Sequence, residues 1–202
     1  MKILFYNLKK GLIISLVLIV LCGFVFPLAV TGVSNLLFND KATGSMITVN
    51  GKEVGSKFIG QAFTSDKYFT GRISAVNYNT YKEGDPEYKG VATGGSNLAQ
   101  SNPKLMERIN SDVEAFLKKN PNVKKEDIPA DLITASASGL DPDISIEAAK
   151  IQVPRIAKAT GKTEADIVKI IEKNTNKKAL GILGEDTVNV LGANIDIYKL
   201  TK

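Results

Sequence analysis

The chain has 202 residues and a net charge of +5, and it contains no histidine, no tryptophan and one cysteine, Cys22. This composition excludes zinc sites built from Cys and His, Ser-His-Asp and Cys-His catalytic arrangements, and any disulfide within the chain. Hydrophobic residues make up 44% and charged residues 23%, which is typical of a globular protein. The sequence contains no concentrated basic segment, so its charge does not indicate a nucleic-acid partner.

The N-terminal segment differs from the rest of the chain because residues 11–39 carry no charge. The only charged side chains before them are those of lysines. A helix needs about 20 residues to cross a hydrocarbon core of about 30 Å. We therefore predict a transmembrane helix at residues 11–33, which Pro27 should bend or locally open. Lys2, Lys9 and Lys10 predict a cytoplasmic N-terminus at residues 1–10 and an extracytoplasmic domain at residues 34–202.

Two other interpretations of this segment are weaker. A cleaved signal peptide has a shorter apolar core, of roughly 7–15 residues, and Ala29 and Thr31 make a poor cleavage site. A lipoprotein would carry its lipid on Cys22, but the preceding residue is Leu21 instead of a small one. The sequence favours an uncleaved single-span anchor.

The first part of the outer domain predicts short strands and a long loop. Met46–Val49 precedes Asn50-Gly51, a dipeptide typical of hairpin turns, and we expect its partner strand at residues 57–63. Residues 68–76 predict another short strand. Residues 77–103 predict a loop, and loops of that length within a domain are usually functional or mobile.

Helices dominate the next part. Pro103 suits the first helical position, and the helix it begins should end near residue 120. Ser145 is a candidate N-cap for a second helix that is kinked at Pro154 and ends at Gly161.

The C-terminal part predicts a third helix followed by strands. Thr163 and Asp166 form a capping pair for that helix. Val188, Val190 and the isoleucines at 195 and 197 predict one or two strands. The order of strands, helices and strands indicates an α+β domain.

Two nucleotide- and metal-like motifs are incomplete. Gly161-Lys162-Thr163 resembles the end of a P-loop, but Ile156 occupies the position of its first glycine and a helix precedes it. The run from Asp141 to Gln152 resembles an EF-hand loop that lacks its central glycine and its final glutamate. We interpret the first as a helix end and start, and the second as a turn.

Two possible acid–base or nucleophilic groups are also weak. Three loop carboxylates lie between two lysines, which predicts a solvated charged loop; they are Glu83, Asp85 and Glu87, flanked by Lys82 and Lys89. Ser136 and Ser138 have no histidine to activate them. A Ser-Lys pair stays formally open, without support from spacing.

The sequence Gly94-Gly95-Ser96-Asn97 is the strongest candidate for a binding loop. Two glycines let a backbone approach a ligand or partner closely, and Ser96 and Asn97 offer hydrogen-bonding groups. A helix N-terminus at Pro103 follows, with its positive dipole end. An ordinary turn remains the alternative.

Ten short motifs, in this order, resemble the C subunit of the Kdp potassium-transporting ATPase. They are GQAF (60–63), YFTGRISA (68–75), GGSNL (94–98), SNP (101–103), PADL (129–132), TAS (134–136), SGLDP (138–142), QVPR (152–155), LGILGE (180–185) and VNVL (188–191). Each motif alone is weak, but their order and number are specific, and the resemblance covers nearly the whole chain.

The resemblance implies a function for the chain as a whole. It implies a non-catalytic accessory subunit that works with A, B and F subunits in the plasma membrane of a prokaryote, within a high-affinity ATP-driven potassium uptake complex. It also implies a role in assembly and as a catalytic chaperone that raises the ATP affinity of the P-type ATPase B subunit. ATP and potassium would be used by the complex, and no cofactor or metal is assigned to this chain.

The resemblance also implies a partner- or nucleotide-associated loop region, with no catalytic residue. Its members lie in the matching motifs: Gly71, Arg72, Ser74, Gly94, Gly95, Ser96, Asn97, Asp141 and Pro142. Since charge bias places them outside the cell, whereas ATP is cytoplasmic, we expect assembly and gating more than nucleotide contact. The alternatives are a membrane-anchored extracytoplasmic enzyme and a ligand-binding module.

Overall fold

A computed structural model of the chain describes residues 1–88 and 90–202. The chain divides into two compact units, Met1–Met46 and Ile47–Lys202. The described residues form short helices and strands that alternate with turns and irregular segments. In chain order they are α1 (Lys2–Val20), a π-helical turn (Leu21–Val25), α2 (Phe26–Leu37), α3 (Asn39–Ala42), β1 (Met46–Val49), β2 (Lys52–Ser56), a 3-10 turn (Asn77–Asn79), α4 (Pro103–Lys119), a 3-10 turn (Lys125–Asp127), α5 (Ala130–Ile133), β3 (Asp143–Ser145), α6 (Ile146–Lys150), α7 (Val153–Thr160), α8 (Glu164–Lys173), β4 (Thr175–Asn176), β5 (Thr187–Asn189) and α9 (Val190–Leu200).

The first unit contains a helical run, Lys2–Leu37, that is long and apolar enough to cross a membrane. None of the residues of α1 and α2 is buried within the chain. The π-helical turn lies just before Pro27 and contains Gly23. In a regular α-helix the Gly23 carbonyl accepts a hydrogen bond from the N–H of residue 27, and proline has no N–H to donate. The predicted local opening of the helix is thus confirmed, as a wider turn. The bilayer boundaries at 11–33 and the orientation stay predictions.

The second unit begins with a hairpin. Asn50 and Gly51 both have positive φ, 52° and 76°, as a two-residue type I′ turn requires. Such a turn reverses the chain at once, so β2 starts at Lys52, and the strand predicted at 57–63 was wrong. The strand predicted at 68–76 was also wrong, because there only Ile73 forms a β-bridge, to Ala135.

The predicted loop and the first long helix are confirmed. Residues 80–88 and 90–102 form no helix or strand, and Lys89 lies outside the described residues. Helix α4 begins at Pro103, where the side chain of Asn102 accepts a hydrogen bond from the Lys104 N–H at 3.0 Å. It buries Val113 on its inner face.

The next helices start where their capping residues predict. The Ser145 hydroxyl accepts a hydrogen bond from the Ala148 N–H at 3.0 Å, which confirms the N-cap. The helix is divided into α6 and α7 instead of being kinked, because Pro154 lies in the first turn of α7, where its missing N–H costs nothing. Gly161, with φ of 68°, ends α7, and Thr163 with Asp166 forms the capping box of α8.

The C-terminal part contains a three-stranded antiparallel sheet in the order β3-β5-β4. Val188 in its centre faces Ile144 on one side and Thr175 on the other. The strand predicted at residues 195–197 was wrong, since α9 begins at Val190. The Asn189 side chain caps that helix by accepting a hydrogen bond from the Gly192 N–H at 2.9 Å. The α+β class is confirmed.

The core of the second unit lies between this sheet and the helices α4 to α9. Its largest fully buried apolar side chains are Phe69, Ile144, Ile156, Ile167, Ile171, Val188 and Ile197. Phe69 comes from the irregular segment after the hairpin and is completely buried. Its burial fastens that segment to the helices and thereby positions the residues that follow it in the chain.

Candidate functional site

Three separate parts of the chain meet next to the buried Phe69 segment. We call the meeting point the loop cluster. Its members come from residues 71–78, 94–95 and 139–141: Gly71, Arg72, Ser74, Tyr78, Gly94, Gly95, Gly139 and Asp141. Backbone pairing supports the meeting, because the Ser136 N–H bonds to the Ile73 carbonyl at 2.9 Å.

An ion pair joins two of these parts. Arg72 Nη1 lies 2.9 Å from Asp141 Oδ2, and the two side chains are 25% and 28% exposed. The other carboxylate oxygen of Asp141 accepts a hydrogen bond from the Asp143 N–H at 3.1 Å. Arg72 Nη2 also reaches the Thr134 hydroxyl at 3.4 Å. The pair is therefore held in place while it remains accessible from outside.

Ser74 holds a turn of unusual conformation. Its hydroxyl donates to the Gly139 carbonyl at 2.6 Å and accepts from the Tyr78 N–H at 2.8 Å. Asn77, Tyr78 and Asn79 have φ of 47°, 51° and 54°. Consecutive left-handed residues other than glycine are uncommon and occur where surrounding contacts fix them.

Tyr78 is a partly buried member of the loop cluster and contacts Arg72. Its hydroxyl donates a hydrogen bond to the Arg72 carbonyl. Burial raises the pKa of Tyr78 to about 12, the Asp141 carboxylate adds to this effect, and the Arg72 guanidinium opposes it. A Cβ at Gly71 would lie 2.9 Å from the Tyr78 hydroxyl oxygen, so a larger residue there requires the Tyr78 side chain to shift.

The glycine loop packs closely on the third part of the chain. The Gly94 N–H donates to the Ser138 carbonyl at 2.8 Å. A Cβ at Gly139, whose φ is 69°, would lie 2.8 Å from the Gly94 carbonyl oxygen and 2.7 Å from a Val76 methyl. A Cβ at Gly95 would lie 3.3 Å from the Ala137 Cα. The two segments thus approach at a distance that side chains would prevent.

The structure brings together six of the nine residues that the sequence singled out. They are Gly71, Arg72, Ser74, Gly94, Gly95 and Asp141. Pro142 lies beside them, and its carbonyl accepts a hydrogen bond from the Val190 N–H at 3.0 Å. Ser96 and Asn97 are exposed, and Asn97 has a φ of 50°. The roles of all nine residues stay predictions.

A second polar group, which sequence reasoning did not single out, lies inside the domain. We call it the buried network; its members are Asn120, Gln152, Arg155 and Asn194, each at most 9% exposed. Gln152 Oε1 accepts from the Thr70 N–H at 2.9 Å, the Thr70 hydroxyl at 2.9 Å and Arg155 Nη2 at 2.7 Å. Its Nε2 donates to the Ala148 carbonyl at 3.0 Å.

The other members of the buried network hold the same segment of the chain. Asn194 accepts from the Phe69 N–H at 2.7 Å and donates to the Phe69 carbonyl at 3.0 Å. Arg155 donates to the Asp66 and Tyr68 carbonyls and to Asn120 Oδ1. Burial lowers the pKa of Arg155 below its ordinary value, and the Asp66 carboxylate opposes this effect. Only Gln152 and Arg155 lie within a predicted helix, and nothing in the sequence shows that their side chains point inward.

The weaker sequence candidates have ordinary structural roles. The Ser136 and Ser138 hydroxyls lie 3.1 Å apart, and Ser138 also accepts from the Leu140 N–H at 3.1 Å. Asp143 accepts from Asn189 and Thr187 at 3.0 and 3.2 Å. Within residues 1–88 and 90–202, no group of three or more Cys, Asp or Glu side chains could hold a metal ion.

Asp85, one of the three loop carboxylates, has a local role. Asp85 Oδ2 accepts a hydrogen bond from the backbone N–H of Lys82 at 2.7 Å, which closes a turn of the exposed loop. Lys89, the second lysine of that predicted charged loop, is not among the described residues.

Comparison with known proteins settles the family. Residues 8–199 match the family model described as K+-transporting ATPase, c chain. The chain belongs to the KdpC family. The match runs from α1 to α9, so the resemblance inferred from the ordered motifs is confirmed across both units. The chain is therefore similar to a potassium-transport subunit throughout, and its first unit supplies a candidate membrane span.

Three relatives, each called potassium-transporting ATPase KdpC subunit, agree with this assignment. The chain is 54% identical to one from Clostridioides difficile, with 96% of this chain and 97% of the relative covered. It is 48% identical to one from Clostridium kluyveri, covering 98% and 96% respectively. It is 46% identical to one from Caldanaerobacter subterraneus subsp. tengcongensis, covering 97% and 96%.

Proposed function

We propose that the chain is a non-catalytic accessory subunit of a high-affinity, ATP-driven potassium uptake complex. Its partners are the A, B and F subunits and the lipid bilayer, and ATP hydrolysis belongs to the B subunit. The observation that carries this proposal is the family match from residue 8 to residue 199. Because the match covers both units, both take part in the function of the subunit.

The N-terminus lies in the cytoplasm and the second unit lies outside. The support is the charge pattern: Lys2, Lys9 and Lys10 precede an uncharged stretch of 29 residues, 11–39. In this orientation the loop cluster does not meet cytoplasmic ATP. The subunit acts as a catalytic chaperone through assembly, by holding the B subunit in the state that binds ATP well.

The loop cluster serves as a docking face for a partner subunit. Its polar groups bond to one another, as Arg72 does to Asp141 and Ser74 to Gly139, and they do not form a nucleophile–base pair. Partly exposed polar groups that are held in place in this way give orientation and specificity to an interface. The proposed face therefore recognises a protein surface and carries out no reaction.

Deletion of the second unit from the complex tests the proposal. A chain truncated after Met46 should leave the four-subunit complex unable to support growth at micromolar potassium, whereas the full chain restores it. Immunodetection of the truncated chain in membranes provides the control for its presence. Normal potassium uptake by a complex with only the first unit would contradict the proposal.

Labelling from outside the cell tests the orientation. In a Cys22→Ser background, Lys2→Cys and Glu164→Cys place single thiols at the start of α1 and at the start of α8. A membrane-impermeant maleimide added to intact cells should label position 164 and leave position 2 unlabelled until the membrane is opened. The reverse pattern would overturn the orientation and place the second unit on the side of cytoplasmic ATP.

The chaperone role has its own measurement. The KM for ATP of the complete complex should be several-fold lower than that of a complex that lacks the second unit. An unchanged KM with lost transport would retain the assembly role and exclude the effect on ATP affinity.

A further inference from the structure

The hairpin that joins β4 to β5 ends in three exposed aliphatic side chains. Leu180 is 89% exposed, Ile182 is 78% exposed and Leu183 is 59% exposed. We call these three residues the apolar tip. Neither the loop cluster nor the buried network includes them.

The backbone of the hairpin is closed by hydrogen bonds. Ala179 and Leu183 exchange two backbone hydrogen bonds, of 2.8 and 2.9 Å. Below them, Lys178 pairs with Glu185 and Lys177 pairs with Asp186, each at 2.9 Å. The apolar tip is therefore presented on a fixed stem.

Leu180 is unfavourable for the isolated chain in two respects. Its φ is 55°, a left-handed conformation in which a bulky residue is a genuine outlier. Its side chain is also almost fully exposed, so it gains nothing from burial. Glycine at this position would remove both disadvantages.

From these observations we infer that the apolar tip docks into an apolar pocket on another membrane subunit of the transporter. This inference rests on the proposed subunit role. A fixed turn of three aliphatic side chains fits a shaped cavity and loses little entropy on binding.

Charge and area argue for this occupant against two others. The two ion pairs leave the stem with no net charge, whereas attraction to anionic lipid requires an excess of lysine or arginine. Three aliphatic side chains bury on the order of 300 Å². A stable interface between free proteins buries about 800 Å² on each partner, so the apolar tip alone is too small to hold a second copy. It suffices as one contact of a subunit that is already concentrated in the same membrane.

Leu180→Gly gives a test in which stability and assembly change in opposite directions. It should raise the thermal unfolding midpoint of the full-length chain in detergent, because it removes the left-handed leucine. It should also reduce co-purification with the other subunits roughly tenfold. Ile182→Ser should reduce co-purification similarly without the gain in stability. Met106→Gln, at a 52% exposed position on α4, is the matched control and should change neither.

A thiol at the apolar tip identifies the occupant. In a Cys22→Ser background, Ile182→Cys should react with maleimide in the full-length chain alone in phosphatidylglycerol vesicles, and it should be protected in the assembled complex. Protection in vesicles alone would show bilayer insertion and overturn the inference. Formation of a dimer by the chain alone, with protection at 182, would overturn it in favour of a second copy.

The remaining outcomes separate this inference from the proposed function. Free reactivity at 182 in the assembled complex, with normal co-purification of Leu180→Gly, would overturn the inference and leave the subunit role intact. If the unmodified chain did not co-purify with any other subunit, the proposed function would fail, and this inference would fail with it.

Discussion

The buried network and the loop cluster use similar polar groups at different depths. Gln152 in the buried network is 0% exposed, whereas Arg72 and Asp141 in the loop cluster keep 25% and 28% of their side-chain surface exposed. A polar group that loses its partner inside a protein cannot regain water, so the full desolvation penalty remains. A half-exposed group can be rehydrated, and its net contribution to stability is small.

The difference assigns separate tasks to the two regions. The buried network fastens residues 66–70 to the helices and stabilises the fold. The loop cluster builds on that fixed segment and presents polar groups to the outside. Substitutions in the first should therefore change stability, and substitutions in the second should change assembly more than stability.

Gln152→Ala should have the largest effect. The change leaves the Thr70 N–H and Arg155 Nη2 without a buried acceptor and opens a cavity, at a cost of about 3 kcal/mol. Urea unfolding of the full-length chain in detergent, followed by tyrosine fluorescence, measures it. Gln100→Ala, at an exposed position, is the matched control. Equal losses of stability in the two variants would contradict the distinction between buried and exposed polar groups.

Gly139→Ala and Gly161→Ala form the next pair, because their φ values are 69° and 68°. A Cβ at 161 meets nothing within 4 Å, whereas one at 139 meets the Gly94 carbonyl oxygen and Val76. Both variants should lose about 1 kcal/mol from the left-handed conformation. Gly139→Ala should lose roughly 2 kcal/mol more through overpacking and should also reduce co-purification with partner subunits. Identical losses would show that residues 93–95 can move away from residue 139.

Tyr78→Phe should remove a pH dependence from the loop cluster. The pKa of Tyr78 is about 12 in the folded chain against an ordinary 10.0, so the folded state holds this proton more tightly. Its contribution to stability is present below pH 10 and is lost as the pH rises from 10 to 12. The stability of the wild type should exceed that of Tyr78→Phe by about 1 kcal/mol at pH 8. The difference should fall above pH 10 and change sign before pH 12, because a rise of the pKa from 10.0 to about 12 is worth more than about 1 kcal/mol. Urea unfolding followed by circular dichroism measures it, and a difference independent of pH would contradict the assignment.

Arg72→Ala should have the smallest effect on stability and a large effect on assembly. Loss of a half-exposed ion pair costs under about 1 kcal/mol, whereas loss of a docking contact should weaken co-purification roughly tenfold. Lys173→Ala removes another ion pair, to Asp196, and serves as the control with a similar cost in stability. If both variants co-purify normally, the loop cluster is not the docking face.

The parts of the fold that were predictable depend on local rules. Asn50-Gly51 fixes a hairpin, and Ser145 and Thr163 fix helix starts, because each acts on neighbours only a few residues away. The wrong strand prediction at the C-terminus arose because the spacing of the apolar residues was interpreted as that of a strand instead of a helix. Val188 and Val190 alternate like a strand, but Val190, Asn194 and Ile197 also recur at helical spacing, and Asn189 is a good N-cap.

The candidate site was less predictable because its contacts are distant in sequence. Arg72 and Asp141 are 69 positions apart, and Ser74 and Gly139 are 65 apart. The motifs that contain these residues indicated that they matter, but nothing local determines that they meet. The buried network was missed for a related reason: polar residues within a helix usually face solvent, and only tertiary packing shows that Gln152 and Arg155 do not.

The π-helical turn Leu21–Val25 changes the direction in which side chains point along the candidate membrane helix, between α1 and α2. A π-helical turn inserts one residue, and one residue corresponds to a rotation of about 100°. A stripe of side chains that faces one neighbour along α1 is therefore displaced by about a quarter of the circumference along α2. The two halves of the candidate membrane span can thus present their matching faces to two different neighbours.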